Sequence, residues 1–158
     1  MTIDRLRVSL KREPAITVNR VAIGNEKLVY VICADKKLQY PWGRTPIVYV
    51  GTTKNGVSRI ASSAAYRADK VLNMHGVKSF DVRVVTCRVR QGIKTWAKLE
   101  RALLLSFREK FGEVPKCNVA GKKIIEQNEF EVFSKSRISE IIAALTDHGQ
   151  AATREITD

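Results

Sequence analysis

Two short, apolar, β-branched runs lie close together: Leu28 to Ala34 (LVYVICA) and Ile47 to Thr52 (IVYVGT). Each is too short for a typical helix and too rich in valine and isoleucine for a surface loop, so each reads as a buried strand. Neighbouring strands joined by one connection are most simply a hairpin. The connection, Asp35 to Pro46, is polar and holds two prolines and a glycine. It is predicted to be a loop, longer than the usual hairpin loop of about 2–5 residues.

Helical periodicity begins next. Ile60, Ala61, Ala64, Ala65, Ala68, Val71 and Leu72 predict a helix over Val57 to Met74, with Gly76 able to end it. Phe80 to Val89 is β-branched again and predicts a third strand. Thr95 is placed to cap a second helix reaching about Phe111, striped by Trp96, Leu99, Leu103 and Phe107. Ser134 to Leu145 predicts a further helix with Ile138, Ile141, Ile142 and Leu145 on one face. The order of elements predicts an α+β fold, a small three-stranded sheet, mixed or antiparallel, flanked by helices. The chain divides into a basic N-terminal extension (1–27), a core (28–118), a C-terminal segment with a packing helix (119–146) and a polar, flexible tail (147–158).

Charge narrows the partners. Against 16 Asp plus Glu stand 28 Lys plus Arg, a net charge of +12. A field of that size attracts polyanions and raises their encounter rate. Its distribution is uneven: +3 over residues 1–27, +11 over 28–118 and −2 over 119–158. The core is therefore expected to meet nucleic acid, and the C-terminal segment is not. The three cysteines are far apart and no CxxC pair occurs, which argues against a zinc site and suits a reducing cytoplasm. The first 27 residues are too charged for a signal peptide, and no run approaches the ~20 apolar residues that span a bilayer, so no membrane partner is expected.

Several residues stand out chemically. On the first helix Arg59, Ser63, Tyr66 and Lys70 recur at helical spacing and are expected to share a face, with Arg67 beside them. Glu100 interrupts the apolar run from Trp96 to Phe107, where a carboxylate is costly unless paired with a neighbour such as Arg101 or holding a metal. In order, the chain presents Leu28-Val29-Tyr30, Tyr49-Val50-Gly51, Arg59 ten residues after Tyr49, Glu100 inside the next helix, and Asn118 after it.

That ordered set, with its strand and helix pattern, resembles the GIY-YIG nuclease family over residues 28–118. The resemblance implies a divalent-metal-dependent DNA endonuclease. Tyr30 then matches the last residue of the family's first motif, Tyr49 the first of its second, and Arg59 the helix arginine. Glu100 matches the metal-binding glutamate and Asn118 the asparagine that closes the domain. Glu100 is a hard oxygen ligand suited to Mg²⁺ or Mn²⁺. Arg59 offers a cationic fork to a phosphate. A tyrosine is a poor base at its ordinary pKa, which a metal and cations such as Lys54 or Arg59 are expected to lower; either tyrosine fits that role.

The chain departs from the family pattern in three places. Leu28 replaces the leading glycine, Ser63 stands where a His or Tyr is common, with Tyr66 one turn further as a substitute, and Tyr30 and Tyr49 are nineteen residues apart. The extra length carries Lys36, Lys37, Tyr40, Trp42 and Arg44, and these, with Arg67 and Lys70, are the expected nucleic-acid contacts. The alternative expectation is a nucleic-acid-binding module of the same fold without catalysis. A monomer or a homodimer is expected, with the apolar stripe of the last helix covering its own core.

Overall fold

The computed structural model describes residues 6–14, 27–54, 56–119 and 121–154. Most of the N-terminal extension expected over 1–27 lies outside these. Residues 6–14 are exposed and in no regular element.

The core is a three-stranded antiparallel sheet in the order β2-β1-β3, with β1 at Leu28–Tyr40, β2 at Gly43–Thr53 and β3 at Phe80–Val85. The central strand is buried from Leu28 to Ala34 on both faces, which is why its sequence is a continuous apolar run rather than an alternating one. Its side chains divide by parity. Leu28, Tyr30, Ile32 and Ala34 meet α1 (Gly56–Leu72) through Ile60 and Val71. Val29, Val31 and Cys33 meet α2 (Thr95–Phe111) and α4 (Lys135–Arg154) through Leu99, Leu103, Phe107, Ile138 and Ile142. The result is an α/β/α sandwich of the expected α+β class. A short α3 (Glu129–Val132), unforeseen in the sequence, precedes α4.

Four local expectations need correction. The connection expected over Asp35 to Pro46 is mostly strand, and the turn is only Pro41-Trp42. Leu38 pairs with Thr45 and Tyr40 with Gly43, whereas Cys33 pairs with Ile47, so β1 carries a bulge of extra residues there. Pro46, which has no N–H to give, sits in that irregularity on an edge strand, where it costs no ladder bond. The third strand stops at Val85 rather than Val89 because its partner runs out: Val85 pairs with Val29, at the start of β1. Thr95 does not cap α2; Lys94 holds the cap position with no side-chain bond, and Thr95 is buried in the first turn. Finally, the segment expected to be a loose tail from 147 is helical through Arg154.

The last helix covers its own chain's core, as its stripe suggested: Ile138 and Ile142 are buried and Ile141 and Leu145 pack beside them. A hydrogen bond of 2.9 Å between the Thr45 and Thr146 hydroxyls ties α4 to β2. Among the described residues no helix is long and apolar enough to cross a membrane.

Candidate active site

The two motif tyrosines come together on the α1 face of the sheet. Tyr30 pairs across the ladder with Gly51, and Tyr49 with Ile32, so all four residues share one face. The tyrosine rings lie 5.7 Å apart. Gly51 is the floor beneath them: a Cβ there would stand 2.6 Å from Tyr49 Cε1 and 3.0 Å from Tyr30 Cζ, closer than real contacts allow. The glycine of the Tyr-Val-Gly triplet is therefore required by space, since its φ is not in the left-handed region.

From α1, Ser63 and Arg67 reach the pair. Ser63 is buried, and its hydroxyl and that of Tyr30 share a hydrogen bond of 2.5 Å. Arg67 donates to Ser63 Oγ at 2.9 Å and to Tyr49 Oη at 2.8 Å, and its guanidinium stacks 3.8 Å from the centre of the Tyr49 ring. Tyr30, Ser63, Arg67 and Tyr49 thus form one connected network. Arg67, expected only as a nucleic-acid contact, is the cation built into the site. The signal for it was its i,i+4 spacing from Ser63. Arg59, the expected arginine, lies one turn before Ser63 on the same helix, exposed and in no ion pair among the described residues. Tyr66, 83% exposed, does not substitute for Ser63.

Burial dominates the tyrosine electrostatics. It pushes the Tyr49 hydroxyl up to about 12, with Tyr30 adding to the rise and the Arg67 charge opposing it. The expected lowering by protein cations is therefore not achieved by the protein alone. Glu100 also raises it, which puts that carboxylate within electrostatic range of the phenol.

Glu100 approaches from the other side of β2. Thr52 pairs with Val29 and so faces α2, where its hydroxyl donates to Glu100 Oε2 at 3.2 Å. Burial raises the Glu100 pKa, opposed by the Thr52 bond and by the charge of Arg101. No cation lies within 4.0 Å of it among the described residues. Arg101 is engaged elsewhere, donating to Glu129 Oε1 at 2.6 Å and to the Ile125 carbonyl at 2.7 Å. The expected alternative, an ordinary pair between Glu100 and Arg101, is thereby excluded. Among the described residues no three His, Cys, Asp or Glu side chains cluster as a ligand cage. A lone carboxylate with one threonine hydroxyl beside it fits Mg²⁺ or Mn²⁺ alone among common ions, since these hard ions are held by few protein ligands together with water and substrate phosphate.

Asn118 has a different task from a reacting group. Its Oδ1 accepts from the Val50 amide at 2.9 Å and its Nδ2 donates to the Val50 carbonyl at 2.8 Å. With the Cys117 amide bonded to Val48 O at 2.8 Å, this segment lines the outer edge of β2 and holds the strand carrying Tyr49.

Lys54, expected as an auxiliary cation near the tyrosines, follows β2 and is exposed. The expected nucleic-acid contacts divide. Lys70 is exposed at the far end of α1, electrostatically close to Cys117. The others belong to the opposite end of the hairpin. Trp42 lies seven residues from Tyr49 along β2, roughly 23 Å of extended chain. Tyr40 is a core residue: it packs on Phe107 and Phe111, and its hydroxyl donates to Ile47 O at 2.7 Å while accepting from the Lys116 amide. Trp42, 70% exposed, is anchored by its amide to Phe111 O at 3.1 Å, and its ring lies over Gly112. Lys36 lies over Gly76, Lys37 pairs with Asp147 at 3.6 Å, and Arg44 donates to Lys37 O.

No protein-family model matches the chain, and neither a curated protein nor a solved structure matches it.

Proposed function

We propose that the protein is a divalent-metal-dependent DNA endonuclease of the GIY-YIG type, hydrolysing phosphodiester bonds at Tyr30, Tyr49, Arg67 and Glu100. The observation that carries this reading is Glu100, a desolvated carboxylate bonded to a threonine hydroxyl, with no protein cation within 4.0 Å among the described residues, across β2 from a tyrosine–arginine network. Such a group is unfavourable for folding and suited to a cation taken from solution.

Glu100 would hold the metal, and the Thr52 hydroxyl fixes the rotamer of the carboxylate. When bound, Mg²⁺ or Mn²⁺ supplies positive charge that neutralises phosphate oxygens and favours ionisation of nearby water and phenol. Tyr49, or Tyr30 through Ser63, first loses its phenolic proton to solvent and then, as phenolate, accepts a proton from the attacking water, whose oxygen bonds to phosphorus as the ester P–O bond breaks. Arg67 stabilises the phenolate and Arg59, extending into solvent from the same helix, meets the phosphate. The leaving oxygen takes its proton from solvent.

A second reading, a nucleic-acid-binding module without catalysis, is favoured by the raised Tyr49 pKa of about 12, which keeps the phenol protonated at neutral pH. Supercoiled plasmid incubated with Mg²⁺ or with EDTA separates the two. Metal-dependent nicking by the wild type, absent in Glu100→Gln, is the expected result. Binding without nicking, across Mg²⁺ and Mn²⁺ and up to alkaline pH, selects the second reading.

A further inference from the structure

We propose that the β3–α2 connection, residues 86–94, is a cationic arm that grips the phosphate backbone of duplex DNA opposite Lys54 and Arg59. The proposal rests on the nuclease reading for its substrate, but its evidence is separate. Register supplies the placement. Leu28 pairs with Thr53 and Val29 with Val85, so β2 and β3 leave the sheet at the same end. Lys54 and α1 follow the one, and residues 86–94 and α2 follow the other. Glu100 lies six residues beyond the end of the arm, about 9 Å along the α2 axis.

Charge supplies the chemistry. From Val82 to Leu99 the chain has five basic residues, Arg83, Arg88, Arg90, Lys94 and Lys98, and no acidic one. Arg83 pairs with Asp81, and Lys98 bonds to Asn128. Arg88, Arg90 and Lys94 are exposed and form no ion pair among the described residues, and the same holds for Lys54 and Arg59. Exposed cations elsewhere, such as Arg44, Lys70 and Lys110, also form no ion pair among the described residues, so what marks the arm is its position and the absence of any acidic residue from Val82 to Leu99. The arm is braced. Arg90 bridges Ile93, the Ile93 amide bonds to Arg90 O at 3.2 Å, and Gly92 turns the chain at φ 78°. Its cations are therefore presented from a fixed turn, which lowers the ordering cost of contact. Val89, 75% exposed between the two arginines, gives an apolar tip suited to a groove. One apolar side chain is too little to insert into a lipid surface.

The test is binding of a short fluorescent duplex in EDTA across a salt series, which needs no cutting. Arg88→Gln/Arg90→Gln/Lys94→Gln is expected to make the log–log salt slope shallower by about 2–3, at roughly 0.9 per lost phosphate contact, and to weaken low-salt binding at least tenfold. Lys110→Gln/Lys122→Gln/Lys123→Gln, of equal charge change and away from the arm, is expected to leave the slope unaltered. Thermal melts confirm that both variants fold. Equal losses in the two variants, an unchanged slope in the arm variant, or preference of the wild type for single-stranded RNA or anionic vesicles overturns the proposal. A protein that never nicks plasmid yet loses its slope in the arm variant sinks the nuclease reading and keeps the arm. One that nicks while the arm variant binds normally does the reverse.

Discussion

The candidate site and the structural packing around Glu129 and Tyr40 use the same side chains under different terms. Each holds a buried or half-buried glutamate and a tyrosine. Glu129 is fully buried, and burial pushes its carboxyl up, yet the Arg101 bond and the Gln127 amide outweigh that and hold it below the ordinary range. Glu100, with one hydroxyl bond, stays above it. Tyr40 gives its hydroxyl to backbone groups inside an aromatic cluster, whereas the Tyr30 and Tyr49 hydroxyls meet only side chains, Ser63 and Arg67. A polar group answered by backbone or by a full ion pair serves the fold. One answered by rotatable side chains keeps the capacity to change partners, which a proton transfer or a metal needs.

The largest effect that would break this comparison is at the glutamates. Glu100→Gln should lower single-turnover cleavage by on the order of 10³ or more while leaving the melting temperature unchanged or higher. Glu129→Gln should lose about 2–3 kcal/mol of stability, because a buried pair loses one partner while Arg101 remains partly in water, with cleavage per folded molecule intact. The pH signs are opposite. Glu129, its pKa lowered, contributes stability above about 4.5 that is lost as pH falls through its folded value. Glu100, its pKa raised, favours the folded state most below about 4.5, and that contribution is lost as pH rises. Chemical denaturation from pH 3 to 8 should show each term vanish in its own variant.

The arginines give the next effect. Arg67→Ala should cut turnover by roughly 10², with a smaller change in DNA affinity, and Arg59→Ala by about tenfold. A reversed order would return the central role to Arg59. Glycines come third. Gly51→Ala forces the tyrosine rings apart and should reduce cleavage by roughly tenfold with about 1–3 kcal/mol lost. Gly43→Ala meets only Phe111 carbons at 3.3 Å and should leave cleavage unchanged. Tyr40→Phe comes last, with no effect on cleavage and a loss of about 1–2 kcal/mol for a buried hydroxyl whose backbone partners are left unmatched. Urea melts check that value, and full nicking activity in the same variant, against its loss in Tyr49→Phe, would sharpen the contrast.

Much of the frame was legible in the sequence. The run Leu28 to Ala34 reads as a two-faced strand because both its faces are buried, and α2 ends at Phe111 as its stripe predicts. The longer hairpin was hidden by Pro41 and Pro46, which punctuate a sequence like a loop although one sits in a turn and the other in a bulge. Arg67 was placed on the surface because helix spacing says which residues share a face, not what lies above that face; Tyr49, eighteen residues away, is brought there by the sheet. The Arg101–Glu129 pair, 28 residues apart, had no local trace for the same reason, and without it Glu100 reads as half of an ordinary surface pair.

Asn118 has a last consequence, for association. By bonding both amide groups to Val50 it closes the outer margin of β2 against any incoming strand. The opposite margin, β3, has no strand beyond it among the described residues. What guards that side is charge: Asp81 and Arg83 stand on β3, and ionic groups on an exposed strand disfavour edge-to-edge aggregation. The chain therefore protects its two sheet margins by different means, a hydrogen-bonded plug from its own chain on one and a pair of ions on the other. High salt, which screens the ions and spares the plug, should bring self-association through β3 first.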